Sequence, residues 1–188
     1  MRNRTAVLCV FFLLGFAGCS RKEPEQVLKP PVRDEGTLVV KEPEQVLTQW
    51  VSEDGSFTVK APLAPQEQSL PAGAREYKFY GREKFAPMLL SVTVLRRVKD
   101  VPGLPDSPPP DVFYDQYEKA YRGAGHDITN IMTIKNGDYT GRQFEVRAGK
   151  YWPSMVVRLF VAERHAYWLQ WNPNVPHATE TADSFVIP

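Results

Sequence analysis

Cysteine and histidine, the residues that most often carry redox, metal or nucleophilic chemistry, are scarce in this chain. Its 188 residues include two cysteines and three histidines. The histidines are His126, His165 and His177; neither His165 nor His177 shares a short ligand spacing with a cysteine or a carboxylate, whereas a metal site needs several convergent ligands. The sequence therefore predicts neither a metal site nor a cofactor.

Catalytic motifs are missing as well. The sequence contains no G-x-S-x-G turn and no glycine-rich loop of the phosphate-binding kind. Asp111, Asp115 and Glu118 are spaced along one predicted helix beside Lys119, a pattern more typical of a solvated helix face than of an acid–base pair. We predict a protein that is not an enzyme, and a hydrolase with a dispersed site is the least favoured alternative.

An excess of charge of one sign is also lacking. The formal net charge is +1, from 23 basic and 22 acidic residues. Without Arg2 and Arg4 it would be −1, since 21 basic residues would then face 22 acidic ones. No dense basic cluster interrupts this balance, so nucleic acid is not an expected partner.

The uncharged run over residues 6–17 is too short to span a bilayer, because a membrane-spanning helix needs about 20 apolar residues. Its length instead suits the apolar core of a secretory signal peptide, and Arg2 and Arg4 provide the basic head that such signals carry. We therefore predict a signal peptide over residues 1–18.

The residues that close this run, Phe16-Ala17-Gly18-Cys19, resemble the lipobox of bacterial lipoproteins. Phe16 departs from the usual leucine. The resemblance implies cleavage between Gly18 and Cys19 and acylation of the Cys19 thiol by lipid chains such as palmitate. Cys9 would leave with the signal, so no disulfide is expected. The alternative is a soluble protein whose buried cysteine follows an apolar segment.

Ser20 follows the predicted anchor, where an aspartate would be expected for retention in the inner membrane. By resemblance to lipoprotein sorting in Gram-negative bacteria, this implies the periplasmic side of the outer membrane rather than the inner membrane. The lipid bilayer is then the first expected partner, through acylated Cys19.

A tether is predicted for residues 19–50, followed by a globular domain over residues 51–188. The heptapeptide KEPEQVL occurs at 22–28 and again at 41–47, and prolines within and between the copies disfavour a continuous helix. A spacer of this kind would span about 30 Å. The duplication is interpreted as a local linker repeat, or alternatively as a twofold docking peptide. A short helix through Glu44–Trp50 would place Val46 and Trp50 on one side.

The domain has the pattern of an α+β fold. A helix is predicted over 111–123, with Asp111 as its N-cap and Phe113, Tyr117, Ala120 and Tyr121 on one stripe, and a second over 176–187. Asn136-Gly137 marks a hairpin turn. Strands are predicted over 56–62, 75–81, 88–98, 127–137, 139–149, 154–163 and 165–172.

Three stretches, DGSFTVKAPLAP, RLFVAERHAYWLQW and ATETADSFVI, resemble a PsbP-like domain, a family named for an extrinsic photosystem protein. The resemblance implies an α/β/α sandwich around a central, mostly antiparallel sheet of about six or seven strands. It also implies a binding or assembly role without catalysis. It transfers no functional residue to a particular position.

The tryptophans Trp152, Trp168 and Trp171 are the candidate partner-binding residues. Alternation along the last predicted strand sends Tyr167, Leu169 and Trp171 to one sheet face and Trp168 to the other. If both faces are covered, these rings belong to the core; if one is open, they line a groove. The sequence thus predicts a lipoprotein that binds an envelope protein partner, and the alternative is a carrier of a small apolar ligand between sheet and helix.

Overall fold

The computed structural model describes residues 46–82, 86–97, 107–147 and 153–188. Seven strands form one sheet in the order β3-β4-β5-β9-β8-β7-β6, and every neighbouring pair is antiparallel. The predicted α+β class and the central antiparallel sheet are therefore confirmed. The strands are β3 (Gln66–Ser69), β4 (Arg75–Tyr80), β5 (Met88–Arg96), β6 (Ile128–Asn136), β7 (Tyr139–Val146), β8 (Met155–Val161) and β9 (His165–Trp171).

Before this sheet, β1 (Thr48–Val51) pairs with β2 (Thr58–Ala61) in a separate antiparallel hairpin. The short helix predicted through Glu44–Trp50 is thus wrong over Thr48–Trp50. The physical reason is long-range packing, because the Trp50 ring lies 5.4 Å from both the Phe57 and the Tyr77 rings. Those contacts require a strand that delivers Trp50 to the sheet.

Helix α1 (Pro110–Gly123) matches the predicted helix, but its N-cap is wrong. Pro109 occupies the N-cap position and Pro110 lies in the first turn. The backbone N–H groups of the first turn have no partner within the helix, so a proline there loses no helical hydrogen bond. Asp111 lies in the first turn, where its charge is favourable near the positive end of the helix dipole. The most buried ring of α1 is Tyr114, at 3 % exposure, which the predicted stripe did not include.

Helix α2 (Ala178–Asp183) is half as long as the predicted segment. The chain ends the helix at Ser184 and continues as an extended tail, in which Val186 forms an antiparallel bridge with Thr58 of β2. Helix α2, the β1–β2 hairpin and this tail together cover one face of the sheet. No helix in the described residues is long and apolar enough to cross a membrane.

The two sheet faces bury separate cores. The face under α2 and the β1–β2 hairpin, here called the aromatic face, buries Phe57, Tyr77, Phe79, Phe160, Tyr167, Trp171 and Phe185 among aliphatic side chains. The opposite face, here called the α1 face, buries Tyr114, Ile128, Phe144, Val146, Val157, Leu159, Val161 and Ala166. Alternation on each strand divides the side chains between the two cores.

Candidate functional site

Trp171 lies in the core of the aromatic face, with 2 % of its surface exposed. Its indole Nε1 donates to Thr179 Oγ1 at 3.2 Å, and the Arg158 guanidinium lies 4.8 Å from the centre of its ring. Tyr167 on the same face is also buried, which raises its pKa to about 12, and its hydroxyl donates to the Ser56 carbonyl. Trp171 therefore joins α2 to the sheet and presents no surface to a partner.

Trp168 lies on the α1 face, as the alternation predicted, and is half-buried. Its ring makes edge contacts with Tyr117 at 5.3 Å and with Tyr121 at 6.2 Å between ring centres. Two rings of α1 therefore pack on Trp168, which stays partly exposed among the described residues. The remaining candidate residues, Trp152, Gly18 and Cys19, lie outside the described residues.

Arg158 anchors α2 to the aromatic face. Its Nη2 contacts Asp183 Oδ1 at 2.7 Å, its Nη1 donates to the Ala182 carbonyl, and its Nε donates to Gln143 Oε1 at 2.7 Å. Because the last carbonyls of a helix have no partner within it, a donor at this end both satisfies them and complements the helix dipole. The sequence offered no sign of this role, which depends on the fold bringing β8 under α2.

Arg142 plays the corresponding part for α1. Its Nη1 lies 2.8 Å from both Asp115 Oδ1 and Glu118 Oε1, and its Nη2 lies 4.0 Å from Asp111 Oδ1. The hydrogen bond with Glu118 is the main reason that the pKa of Arg142 is raised. The three carboxylates were expected on a solvated face. Asp111 and Asp115 are exposed, whereas Glu118 is only 16 % exposed, and all three converge on one cation of β7.

A polar cluster crosses β4, β5 and β9 on the α1 face. The register aligns Glu76 with Thr93 and Trp168, and Lys78 with Ser91 and Gln170. Both Glu76 oxygens are bonded, one to Ser91 Oγ at 2.9 Å and the other to Lys78 Nζ at 3.1 Å. A half-buried carboxylate that is fully satisfied in this way is a structural network, because a partner would have to displace existing bonds.

Two histidines each lie beside one carboxylate. His177 Nδ1 lies 3.2 Å from Glu180 Oε2 at the start of α2, and His165 Nε2 lies 3.7 Å from Asp54 Oδ2. Burial lowers the pKa of His165, which outweighs the opposing effect of Asp54. Within the part of the chain that the structure describes, no three metal-ligating side chains converge.

Two shallow cavities of about 300 and 380 Å³ open beside α2. The first is formed by the loop and helix from Pro173 to Glu180, and the second by residues of β6, β8 and the end of α2, among them Ile134, Arg158 and Asp183. Both are open to solvent, and both are lined by charged or polar residues as well as apolar ones. Neither resembles the enclosed apolar space that a carrier of a small hydrophobic molecule needs.

Several solved structures match this architecture, and one of them covers most of the chain. It is the solution structure of cyanobacterial PsbP, CyanoP, from Synechocystis sp. PCC 6803, with a TM-score of 0.50 and 10 % sequence identity. The alignment covers 85 % of this chain and 100 % of that one. The fold is PsbP-like.

The PsbP-like assignment rests on structure. No family model matches the sequence, and no curated protein matches it either. At 10 % identity the similarity to CyanoP concerns the fold alone. The PsbP-like fold agrees with the resemblance seen in the three sequence stretches, and it carries no assignment of a particular partner.

Proposed function

We propose that this protein is a lipid-anchored envelope protein whose PsbP-like domain binds or helps to assemble another envelope protein, without catalysis. Two observations support the proposal. The first is the lipobox-like sequence that ends at Cys19. The second is the PsbP-like fold, a fold whose members are mostly binding and assembly factors.

The observation that carries most weight is that the candidate side chains in the described residues hold the helices on the sheet. Arg142 and Arg158 each hold one helix on the sheet, and Trp168 and Trp171 pack beneath those helices. These groups stabilise a closed sandwich, and a closed sandwich interacts with other molecules through its outer surface. Recognition of a protein at that surface requires no further chemical group.

The packing gives no support to the carrier alternative. Trp171, Tyr167 and Phe57 fill the space between the sheet and its cover, and each is 2 % exposed or less. An apolar ligand would have to displace these rings. The cavities beside α2 are open to solvent, so they do not provide an enclosed place for it.

The anchor is tested by metabolic labelling with an alkyne analogue of palmitate. We expect label on the wild type and on Cys9→Ser, because Cys9 would be removed with the signal, and none on Cys19→Ser, because a hydroxyl cannot form the thioether. Equal label on Cys19→Ser and wild type would refute the lipoprotein proposal.

The binding role is tested by cross-linking in intact cells, followed by detergent extraction of the envelope, affinity capture and mass spectrometry. We expect one envelope protein to be enriched with the wild type and to be lost when Cys19→Ser removes the protein from the membrane. Enrichment of lipids or small molecules alone would instead favour the carrier. Turnover of a captured envelope component by the purified protein would refute the absence of catalysis.

A further inference from the structure

The two edges of the seven-stranded sheet differ in length and character. Strand β3 forms one edge with four exposed residues, three of which are Gln or Glu. Strand β6 forms the other with nine residues, and Ile131 and Met132 expose 45 % and 46 % of their surface there. A short polar edge resists pairing with another strand, whereas a long edge with exposed apolar side chains invites it.

The regular part of the β6 edge runs from Met132 to Asn136. A bulge between Thr129 and Met132 interrupts the strand before it. Asn136 and Tyr139 close a two-residue turn and therefore form a hydrogen-bonded pair. Because such pairs alternate along an antiparallel ladder, Thr133 and Lys135 direct their backbone N–H and C=O groups away from β7.

The surroundings of this edge are negatively charged on the α1 face. Thr133 is the register partner of Arg142, and that single guanidinium faces Asp111, Asp115 and Glu118. Within this ion-pair group, three carboxylates share one guanidinium. Asp111 and Asp115 are 91 % and 57 % exposed, so this charge is accessible to a partner.

Lys135 is the one charged side chain of β6. It is exposed, and it lies on the same face as Thr133 because the side chains of a strand alternate. Among the described residues it makes no ion pair within 4.0 Å. Lys135 thus lies two residues along β6 from Thr133, and Thr133 is the neighbour of Arg142 and its three carboxylates.

We propose that a second copy of this chain adds to the β6 edge, with the two β6 strands antiparallel and symmetric about Ile134. In this register, Thr133 of each copy lies opposite Lys135 of the partner subunit, and the two residues exchange both of their outward backbone hydrogen bonds. Ile134 meets its own counterpart on the aromatic face. The contact is isologous and therefore closes at two copies.

The charges of the edge favour a second copy of this chain as the partner. Symmetry places Lys135 of the partner subunit next to Thr133, in the same row as Arg142 and therefore beside Asp111 and Asp115. The two copies make this contact twice. An uncharged strand from another protein would bring no cation to Asp111 and Asp115. A lysine whose role was only to prevent strand pairing would need no acidic group beside the position of the incoming strand.

The association is measured by sedimentation equilibrium of the full chain in a density-matched detergent. We expect a dimer for the wild type and at least tenfold weaker association for Lys135→Glu. Adding Asp111→Lys to Lys135→Glu should restore the dimer, because it exchanges the two charges. A monomeric wild type at micromolar concentration, or a Lys135→Glu variant that associates normally, would overturn the proposal.

A backbone variant separates pairing from folding. Thr133→Pro removes an N–H that points away from β7, and proline is tolerated on an edge strand when its N–H side faces solvent. We expect this variant to keep the melting temperature of the monomer and to lose the dimer. Normal dimerisation of Thr133→Pro would show that β6 does not pair.

The register is tested by disulfide trapping in membranes. Residues directly opposite in a non-hydrogen-bonded pair bring their Cβ atoms close enough to form a disulfide. Ile134→Cys should therefore cross-link to its counterpart under mild oxidation. Gln68→Cys, on the exposed β3 edge, is the matched control and should stay monomeric. Equal cross-linking at both positions would indicate random collision and overturn the proposed register.

Discussion

On each face of the sheet an arginine helps to hold the covering segments in place, but the covering segments differ. Arg142 on β7 and Arg158 on β8 point to opposite faces, and each lies over an aromatic ring, at 5.4 Å from Tyr114 and 4.8 Å from Trp171. The α1 face is covered by one continuous helix. The aromatic face is covered by segments that are more than 100 residues apart, the β1–β2 hairpin and residues 178–187.

This difference has an energetic consequence. A continuous helix can loosen from one face without disturbing the rest of the chain, whereas the aromatic face joins both ends of the domain in one core. Loss of packing on the aromatic face should therefore reduce the stability of the whole domain. Loss of packing on the α1 face should have a smaller and more local effect.

The tryptophans provide the largest test of this comparison. Trp171→Ala should destabilise the domain by about 3–5 kcal/mol, because it leaves a cavity in a fully buried site. Trp168 is half-buried, so Trp168→Ala should cost about 2 kcal/mol, close to the free energy of burying one apolar side chain. Denaturant melts of the two variants measure both values. Equal costs would show that the two cores are energetically equivalent, and a nearly neutral Trp168→Ala would mean that its ring is available to a partner.

A glycine on the aromatic face provides the next test. A Cβ at Gly141 would collide with the Phe160 ring and lie 2.5 Å from the Leu159 carbonyl oxygen. Gly141→Ala should therefore cost about 1–3 kcal/mol through overpacking. Gly123→Ala is the matched control, since a Cβ there meets open space at the end of α1. It should be neutral or slightly stabilising. A neutral Gly141→Ala would indicate that the Phe160 ring moves aside without cost.

Local pattern was sufficient to predict the strands that alternate cleanly. The hairpin of β6–β7 forms at the predicted Asn136-Gly137 turn, and β8 and β9 lie within the predicted strands over 154–163 and 165–172. The overall class followed from the order of these elements. The similarity of three stretches to PsbP-like domains added the sandwich arrangement, which no single segment encodes.

The features that were missed depend on contacts between distant residues. Strand β3, with sequence QEQS, has no apolar side chain that would mark it as a strand, and it forms because β4 offers it an edge. Trp50 was assigned to the tether, although its ring packs on residues that follow it. Arg142 resembles any surface arginine until the register places it under α1. None of these contacts can be predicted from the spacing of residues in the sequence.

Helix α2 provides a smaller test with the opposite sign. Thr181 is fully buried, and its Oγ1 has no hydrogen-bond partner among the described residues. Thr181→Val keeps the shape of the side chain and removes the unsatisfied hydroxyl, so it should stabilise the domain by about 1 kcal/mol. Thr179→Val is the matched control and should destabilise it, because Thr179 Oγ1 accepts the indole N–H of Trp171. A destabilising Thr181→Val would show that the hydroxyl has a partner.

The smallest expected effect concerns the contact between His165 at the start of β9 and Asp54 in the turn of the β1–β2 hairpin. Burial lowers the pKa of His165 below its usual value of 6.5, so the folded state binds its proton less tightly than the unfolded state. Stability should therefore fall as the pH drops through about 6.5 and continue to fall until the folded form is protonated. His165→Gln should remove this part of the pH dependence.

Asp54, the partner of His165, titrates in a separate range. Burial by itself would raise the pKa of Asp54, but hydrogen bonds from Ser56 and Ser52 outweigh that effect and lower it below 3.8. The stability that Asp54 provides is therefore present above pH 3.8 and lost only at more acidic pH. Urea melts at pH 7.5, 6.0 and 5.0 isolate the histidine, because Asp54 remains ionised throughout. An identical decline in wild type and His165→Gln would mean that His165 does not couple the hairpin to the sheet.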